Sequence, residues 1–191
     1  MILERILPFA RKLLQLALQE GDIAIDATIG NGHDTVLLAK LVGETGHVFG
    51  FDIQDLAIQN TIERLNNEKL AKQVTVVQKS HSAVKEVLPT HLHGKVKAAI
   101  FNLGYLPGSD KSIVTVPAST ISAIQQILEI MAPEGIIVVV IYHGHDGGDV
   151  EKDALMNFVQ KIPQDLAHVL TYRFLNQANN PPFIVAIEKR G

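Results

Sequence analysis

Apolar residues recur along the chain in two alternating patterns, a helical spacing and short β-branched runs. Residues 2–19 have apolar positions every three or four residues, which predicts an amphipathic helix with a kink at Pro8. A β-branched run at 23–27 follows and is typical of a buried strand. The same alternation predicts strands at 46–52, 74–77, 96–101 and 136–142, with helices from 33 or 34, at 54–67, 82–87, 117–131 and 150–161.

The last two strand-like runs, 167–175 and 183–189, have only a turn-rich segment between them. We therefore expect an antiparallel hairpin at the edge of the sheet. Strands that alternate with helices form parallel pairs through right-handed crossovers. The predicted fold is α/β: a doubly wound, Rossmann-like sheet of seven mostly parallel strands with helices on both faces.

Composition narrows the class of protein. The 191 residues are 47% hydrophobic, which suits one domain over residues 1–191. Cysteine is absent, which excludes disulfides, thiolate nucleophiles and the usual structural zinc sites. The start does not resemble a signal peptide and the longest apolar run, 135–142, is far shorter than a membrane span, so a cytoplasmic protein is expected. A net charge of −3 argues against broad phosphate binding, but a short RNA element could still bind in a pocket.

The turn after the first strand, DATIGNGHDT at 26–35, has the features of a nucleotide site. Gly30 and Gly32 allow a tight turn and close approach of a ligand at a helix N-terminus. Asp52 ends the second strand, where a carboxylate can accept both ribose hydroxyls of an adenosine cofactor. If the two glycines only shape a turn, Asp52 is instead a solvated strand end.

Two residues of this turn favour S-adenosylmethionine (SAM) over NAD. NAD sites have a third glycine where Thr35 stands, and a carboxylate at Asp26 would repel a pyrophosphate. The same carboxylate could help to hold the ammonium of SAM, directly or through water. Asp34 is either a ligand or an acid that the helix dipole favours. His81 follows the third strand, where adenine would lie, and is either a cofactor contact or a loop residue.

The loop after the fourth strand, NLGYLPG at 102–108, carries the chemistry of an amine acceptor. It resembles the Asn-Pro-Pro-Tyr loop of methyltransferases that act on amino groups, with Leu103 and Gly104 in place of the prolines. The Asn102 side-chain oxygen could accept a hydrogen bond from an amine and aim its lone pair. Tyr105 would stack on a base or form one wall of the pocket.

The fifth strand ends in YHGHDGG at 142–148, across the predicted pocket from Asn102. Methyl transfer to an amine needs the neutral amine, so a histidine is a suitable proton acceptor, and His145 is preferred over His143. A metal site formed by these two histidines is disfavoured because no carboxylate cluster accompanies them. No metal is expected.

Together with NQANNPP at 176–182, these three motifs resemble the bacterial MnmM/YtqB family, which has also been described as rRNA methylases. The resemblance implies a class I SAM-dependent methyltransferase that converts 5-aminomethyl-(2-thio)uridine at the tRNA wobble position to 5-methylaminomethyl-(2-thio)uridine. By position, it assigns the following residues to the SAM pocket, beside Asp26: Gly30, Asn31, Gly32, Asp34, Asp52, Gln54 and His81. It places Asn102, Tyr105, Tyr142 and His145 at the substrate, and Arg173 and 176–182 at the anticodon loop.

Other functions stay open at this stage. The acceptor could be rRNA or a small-molecule amine. Gly30, Gly32 and Asp52 also occur in NAD-dependent oxidoreductases, and a SAM-binding RNA module without turnover would share the same cofactor turn. The apolar first helix makes a homodimer conceivable.

Overall fold

Seven strands form a single sheet with helices on both faces, in a computed structural model that describes residues 2–104, 115–144 and 147–191. The strands are β1 (Ile23–Asp26), β2 (His47–Asp52), β3 (Val74–Gln78), β4 (Val96–Leu103), β5 (Met131–Ile141), β6 (Ala167–Tyr172) and β7 (Phe183–Lys189). The helices are α1 (Ile6–Ala17), α2 (His33–Val42), α3 (Asp55–Asn67), α4 (Val84–Val87), α5 (Pro117–Ile130) and α6 (Gly148–Val159). The α/β class predicted from the sequence is confirmed.

The strand order is β3-β2-β1-β4-β5-β7-β6. The first five strands pair in parallel, while β7 runs antiparallel to both β5 and β6. The C-terminal hairpin is therefore confirmed, with β6 as the edge strand. Strands β2 and β3 lie on one side of β1, and β4 and β5 lie on the other. The connections after β1 and β4 therefore leave in opposite directions, and this reversal forms a crevice at the carboxyl ends of the two strands.

The two faces of the sheet carry separate apolar cores. Along β4, Ala98 and Ile100 point into the core under α1 and α2, while Ala99, Phe101 and Leu103 point into the core under α5 and α6. This alternation is the two-residue period of a strand that is buried on both faces. The helices on both faces thereby hold the strand ends that form the crevice.

The predicted kink at Pro8 is wrong. Helix α1 begins at Ile6, which places Pro8 in the first turn. Backbone N–H groups of a first turn have no partner within the helix, so a proline there removes no hydrogen bond. The Phe9 N–H makes the first regular bond, to the Arg5 carbonyl at 2.9 Å.

Strand bounds also differ from the prediction: β4 extends to Leu103, so Asn102 and Leu103 belong to the strand and not to the loop after it, and the larger differences are in β5 and β6. Strand β5 begins at Met131, five residues earlier than expected, because Met131 pairs with Val96 of β4. The register then shifts, and regular pairing resumes at Ile136. Glu134, within this register shift, has a φ of +58°. Strand β6 ends at Tyr172, where its last pair with Ile184 is made, so residues 173–175 are not part of it. In the described parts of the chain, no helix is long and apolar enough to cross a membrane.

Candidate active site

The turn after β1 is held rigidly at the head of the crevice. The Ala27 N–H donates to the Ile100 carbonyl of β4 (2.9 Å), and the Ile29 N–H donates to the Phe51 carbonyl of β2 (3.1 Å). Gly32 has a φ of +76°, and a Cβ at this position would lie 2.7 Å from Thr61 Oγ1 on α3. Only glycine fits there, because both the backbone conformation and the close approach of α3 exclude a side chain.

Asp52 joins this turn to the end of β2. Its Oδ2 accepts a hydrogen bond from the Gly30 N–H (3.0 Å), and its Oδ1 accepts one from the Gln54 N–H (3.0 Å). Three of the residues predicted for the cofactor pocket are therefore in direct contact. Each carboxylate oxygen can accept a further bond, so the Asp52 side chain can still receive two hydroxyl donors.

Asp26 lies beneath the turn and has no exposed surface. Its Oδ2 accepts from the Thr35 hydroxyl (2.6 Å) and its Oδ1 from the Thr28 N–H (3.2 Å). Burial raises the pKa of the Asp26 carboxyl to about 7. Both Asp26 oxygens thus accept hydrogen bonds from residues of the turn and stabilise it. The predicted contact of Asp26 with the ammonium group of SAM stays a prediction. Thr35, singled out only as the residue in place of a glycine, acts as the partner of this carboxyl.

Asn31 faces α3 and not the crevice between β1 and β4. Its Oδ1 accepts from Asn60 Nδ2 (3.1 Å), and its carbonyl accepts from Arg64 Nε (2.8 Å). It lines a surface cavity of about 360 Å³ that His33, Glu63 and Arg64 also border. Its predicted contact with the cofactor stays a prediction.

His81 is buried beside the carboxyl end of β1. Its Nδ1 lies 3.0 Å from the Ala27 carbonyl, and its ring stands edge-on to Phe101 at 5.5 Å. Because a carbonyl only accepts, Nδ1 carries the proton, and burial lowers the pKa of the imidazole so that the ring is neutral. Nε2 is then an acceptor, and it is buried with no hydrogen-bond partner among the described residues. An unpaired buried acceptor at this position suits a ligand that donates a hydrogen bond.

Asn102 stands at the carboxyl end of β4, on the other side of the crevice. Its N–H donates to the Thr28 hydroxyl at 2.7 Å, and its Nδ2 donates to Asp34 Oδ2 at 2.9 Å. Asp34 Oδ1 accepts in turn from Arg11 Nε of α1 at 3.1 Å. The two predicted residues Asp34 and Asn102 are thus in contact. Arg11 and Thr28 were missed, because Arg11 lies outside the recognised motifs and Thr28, although within the 26–35 turn, carried no expected role.

The end of β5 completes the site. The Tyr142 N–H donates to the Leu103 carbonyl (3.1 Å), which keeps β5 against β4 at this edge. Partial burial raises the pKa of the Tyr142 hydroxyl, and the charge of Asp34 adds to the effect. His143 packs edge-on against Phe183 at 5.7 Å, with Nδ1 3.5 Å from Asp149 Oδ1. Tyr105 and His145, both predicted for the site, lie outside the described residues.

A buried carboxylate of α6 binds two threonines at the start of α5 and just before it. Glu151 of α6 accepts from the Thr115 hydroxyl (2.6 Å) through Oε2 and from the Thr120 hydroxyl (2.9 Å) through Oε1. The Thr115 N–H also donates to the Gly104 carbonyl at 3.3 Å. Thr115 is therefore held both to α6, through Glu151, and to Gly104 after β4, contacts that the sequence did not reveal.

The β6–β7 loop approaches the same end of the sheet. A Cβ built on Gly144 would lie 3.8 Å from Cβ of Asn180. Asn179 and Asn180 have φ values of +63° and +48°, the left-handed region that asparagine tolerates. Segment 176–182, predicted to contact RNA, thus borders the end of β5. Within the described residues, no three His, Cys, Asp or Glu side chains group as metal ligands.

The parallel sheet with a reversed terminal hairpin, the glycine turn after β1 and Asp52 at the end of β2 define a class I, SAM-dependent methyltransferase. Residues 48–188 match the profile of the family described as "Putative rRNA methylase", and the chain belongs to this family.

Relatives agree along the length of the chain. A "tRNA (mnm(5)s(2)U34)-methyltransferase, chloroplastic" of Arabidopsis thaliana is 34% identical over 188 residues, which cover 94% of this chain and 68% of the relative. A crystal structure described as an rRNA-methylase from Clostridium thermocellum superposes with a TM-score of 0.95 at 43% identity and covers 99% of this chain and 100% of that one. A methyltransferase of Streptococcus mutans, solved in complex with SAH, has a TM-score of 0.89 at 40% identity, with 98% and 99% covered.

Proposed function

We propose that the chain methylates the exocyclic amine of 5-aminomethyl-(2-thio)uridine at the tRNA wobble position, giving 5-methylaminomethyl-(2-thio)uridine. The observation that carries this proposal is the orientation of Asn102, whose Nδ2 is bonded to Asp34. The side-chain oxygen is then the atom that can receive a donor, and an amine is a donor. The name of the Arabidopsis relative supports the choice of acceptor.

The residues around the β1 turn suit SAM. Asp52 would accept the ribose hydroxyls, the Gly30–Gly32 turn would lie against the nucleoside, and the unpaired Nε2 of His81 would accept a hydrogen bond from the cofactor. Bound there, SAM supplies an electrophilic methyl group on a sulfonium sulfur. Gln54, whose N–H donates to Asp52 Oδ1, would border its ribose.

The substrate half would present the amine to that methyl group. Asn102 Oδ1 accepts one N–H of the aminomethyl group and aims the nitrogen lone pair. The nitrogen gains a methyl group and releases one proton, for which His145 is the proposed acceptor. Tyr105 and Tyr142 would form the walls around the base.

The RNA would approach over the carboxyl edge of the sheet. Segment 176–182 borders the end of β5, and Arg173 immediately follows β6, so both lie on the path of an anticodon loop. A wobble base that is splayed from the loop can be held by its ring and side chain without a large basic surface, which agrees with a net charge of −3. We place this activity in the cytoplasm, in a single domain over residues 1–191.

The test is methylation of tRNA in a purified system. The protein is incubated with SAM and tRNA that carries the 5-aminomethyl group, and the digested nucleosides are analysed by mass spectrometry. One added methyl group on the wobble uridine is expected, and none on matched tRNA that lacks the aminomethyl group. Absence of the product would refute the proposal. Methylation of rRNA or of a free amine under the same conditions would change the proposed substrate but leave the assignment as a methyltransferase unchanged.

A further inference from the structure

Asp34 connects two elements that are distant in sequence. It occupies the first turn of α2 and accepts hydrogen bonds from Arg11 on α1 and from Asn102 at the end of β4. Its side chain is only 12% exposed, whereas that of Arg11 is 43% exposed. Both oxygens of the Asp34 carboxylate are therefore occupied by side chains of this protein.

The contact with Asp34 determines which way the Asn102 amide faces. The oxygen and nitrogen of an amide have nearly the same size, so hydrogen bonds decide its orientation. A carboxylate only accepts, and it selects Nδ2 of Asn102 as its partner. Since the Asn102 N–H is held by Thr28 as well, both the backbone and the side chain of Asn102 are oriented.

From this geometry we propose that Asp34 is a positioning residue that, held by Arg11, keeps Asn102 Oδ1 facing the amine acceptor. The inference rests on the proposed function, since it assigns Asn102 Oδ1 to the amine. This role is on the substrate side, whereas the sequence analysis assigned Asp34 to the cofactor pocket. Among the described residues no donor contacts Asn102 Oδ1.

The first readout needs no substrate. In ¹⁵N-labelled protein, the Asn102 side-chain NH₂ signals, assigned by their loss in Asn102→Ala, should report a hydrogen bond to a carboxylate. Asp34→Ala should shift these signals and speed their exchange with water, because the acceptor is gone. Unchanged signals in Asp34→Ala would overturn the inference, whatever the substrate of the enzyme proves to be.

The second readout separates positioning from cofactor binding. Asp34→Ala should lower kcat on aminomethyl tRNA by roughly 10- to 100-fold, as expected for a misoriented catalytic group, while the calorimetric affinity for SAM changes by less than about threefold. In an Asn102→Ala background, Asp34→Ala should cause little further loss, because its effect passes through the absent amide. A large loss of SAM affinity, or losses that simply add, would assign Asp34 to the cofactor pocket and refute the positioning role.

Arg11 provides a variant that leaves the carboxylate in place, which also covers the case that Asp34→Ala does not fold. Arg11→Gln should lower kcat by about two- to fivefold, since partly exposed ion pairs contribute modestly, and should shift the Asn102 NH₂ signals in the same direction as Asp34→Ala. Lys12→Gln, the matched control, removes the neighbouring cation, which pairs with Glu4, and should change neither. Equal effects of Arg11→Gln and Lys12→Gln would contradict the inference.

If the wild-type protein transfers no methyl group to aminomethyl tRNA, the proposed function fails. The NMR and SAM-affinity comparisons then still decide whether Asp34 orients Asn102.

Discussion

The two halves of the crevice are constructed differently. In the cofactor half, backbone groups make most of the contacts: Gly30 and Gln54 donate to Asp52, and the β1 turn bonds to the neighbouring strands. In the substrate half, the contacts are hydrogen bonds between side chains of different elements. They involve Arg11 of α1, Asp34 of α2, Asn102 of β4 and Glu151 of α6. The nucleoside half thus depends mainly on backbone groups at the ends of β1 and β2, while the acceptor half depends on contacts between side chains of different elements.

This difference predicts that substitutions in the substrate half lower kcat while substitutions in the cofactor half weaken SAM binding, and that the largest effect occurs in the substrate half. Asn102→Ala should reduce kcat on aminomethyl tRNA on the order of 10³-fold, because it removes the acceptor that orients the amine. Affinity for SAM, measured by calorimetry, should stay within a few-fold of wild type. A kcat near the wild-type value would show that the amine is oriented by another group.

The converse defect is predicted for the cofactor half. Asp52→Ala should weaken SAM binding on the order of 10²-fold, since the carboxylate both bonds the turn and is free to accept hydroxyl donors. At saturating SAM, kcat should recover most of its value. Calorimetry with a full SAM titration of the rate tests this, and unchanged affinity would remove Asp52 from the ribose site.

These halves also differed in how far the sequence could predict them. The sequence could place Gly30, Asp52 and Gln54 near one another because the turn and the strand end are recognisable patterns, while their contacts with the cofactor stay a prediction. The contacts of Asp34 with Arg11 and Asn102 join side chains of three different elements, and no motif in the sequence specifies that these side chains meet. The sequence showed Asp26 beside the turn, but it did not show that the carboxyl is fully buried and bonded to Thr35. The predicted kink at Pro8 was wrong because the sequence left the start of α1 uncertain by several residues.

A smaller effect is expected on stability when the turn itself is altered. Gly32→Ala should lower the free energy of unfolding by about 1–3 kcal/mol, from positive-φ strain and contact with Thr61. Gly94 is the matched control, with a φ of +83° and no atom within 4 Å of an added Cβ. Gly94→Ala should show the strain alone and cost less in urea unfolding. Equal losses would mean that the approach of α3 does not matter.

The last prediction concerns the pH dependence of stability. Burial raises the pKa of the Asp26 carboxyl from its ordinary value of 3.8 to about 7 in the folded protein, so between these two pH values the folded state holds a proton that the unfolded state has lost. The contribution of the protonated Asp26 carboxyl to the free energy of unfolding is therefore fully present below pH 3.8 and is lost as the pH rises through about 7. Asp26→Asn should lack this component, so its stability relative to wild type should increase between pH 4 and 8 in urea unfolding. Parallel pH profiles would indicate that Asp26 does not titrate as described.

The most direct test of the two-sided site is a crystal structure with S-adenosylhomocysteine and an anticodon stem-loop that carries 5-aminomethyluridine. The ribose hydroxyls should bond to Asp52, and the amine nitrogen should lie about 3 Å from Asn102 Oδ1. An amine bound away from Asn102, or a nucleoside bound away from the β1 turn, would contradict the account.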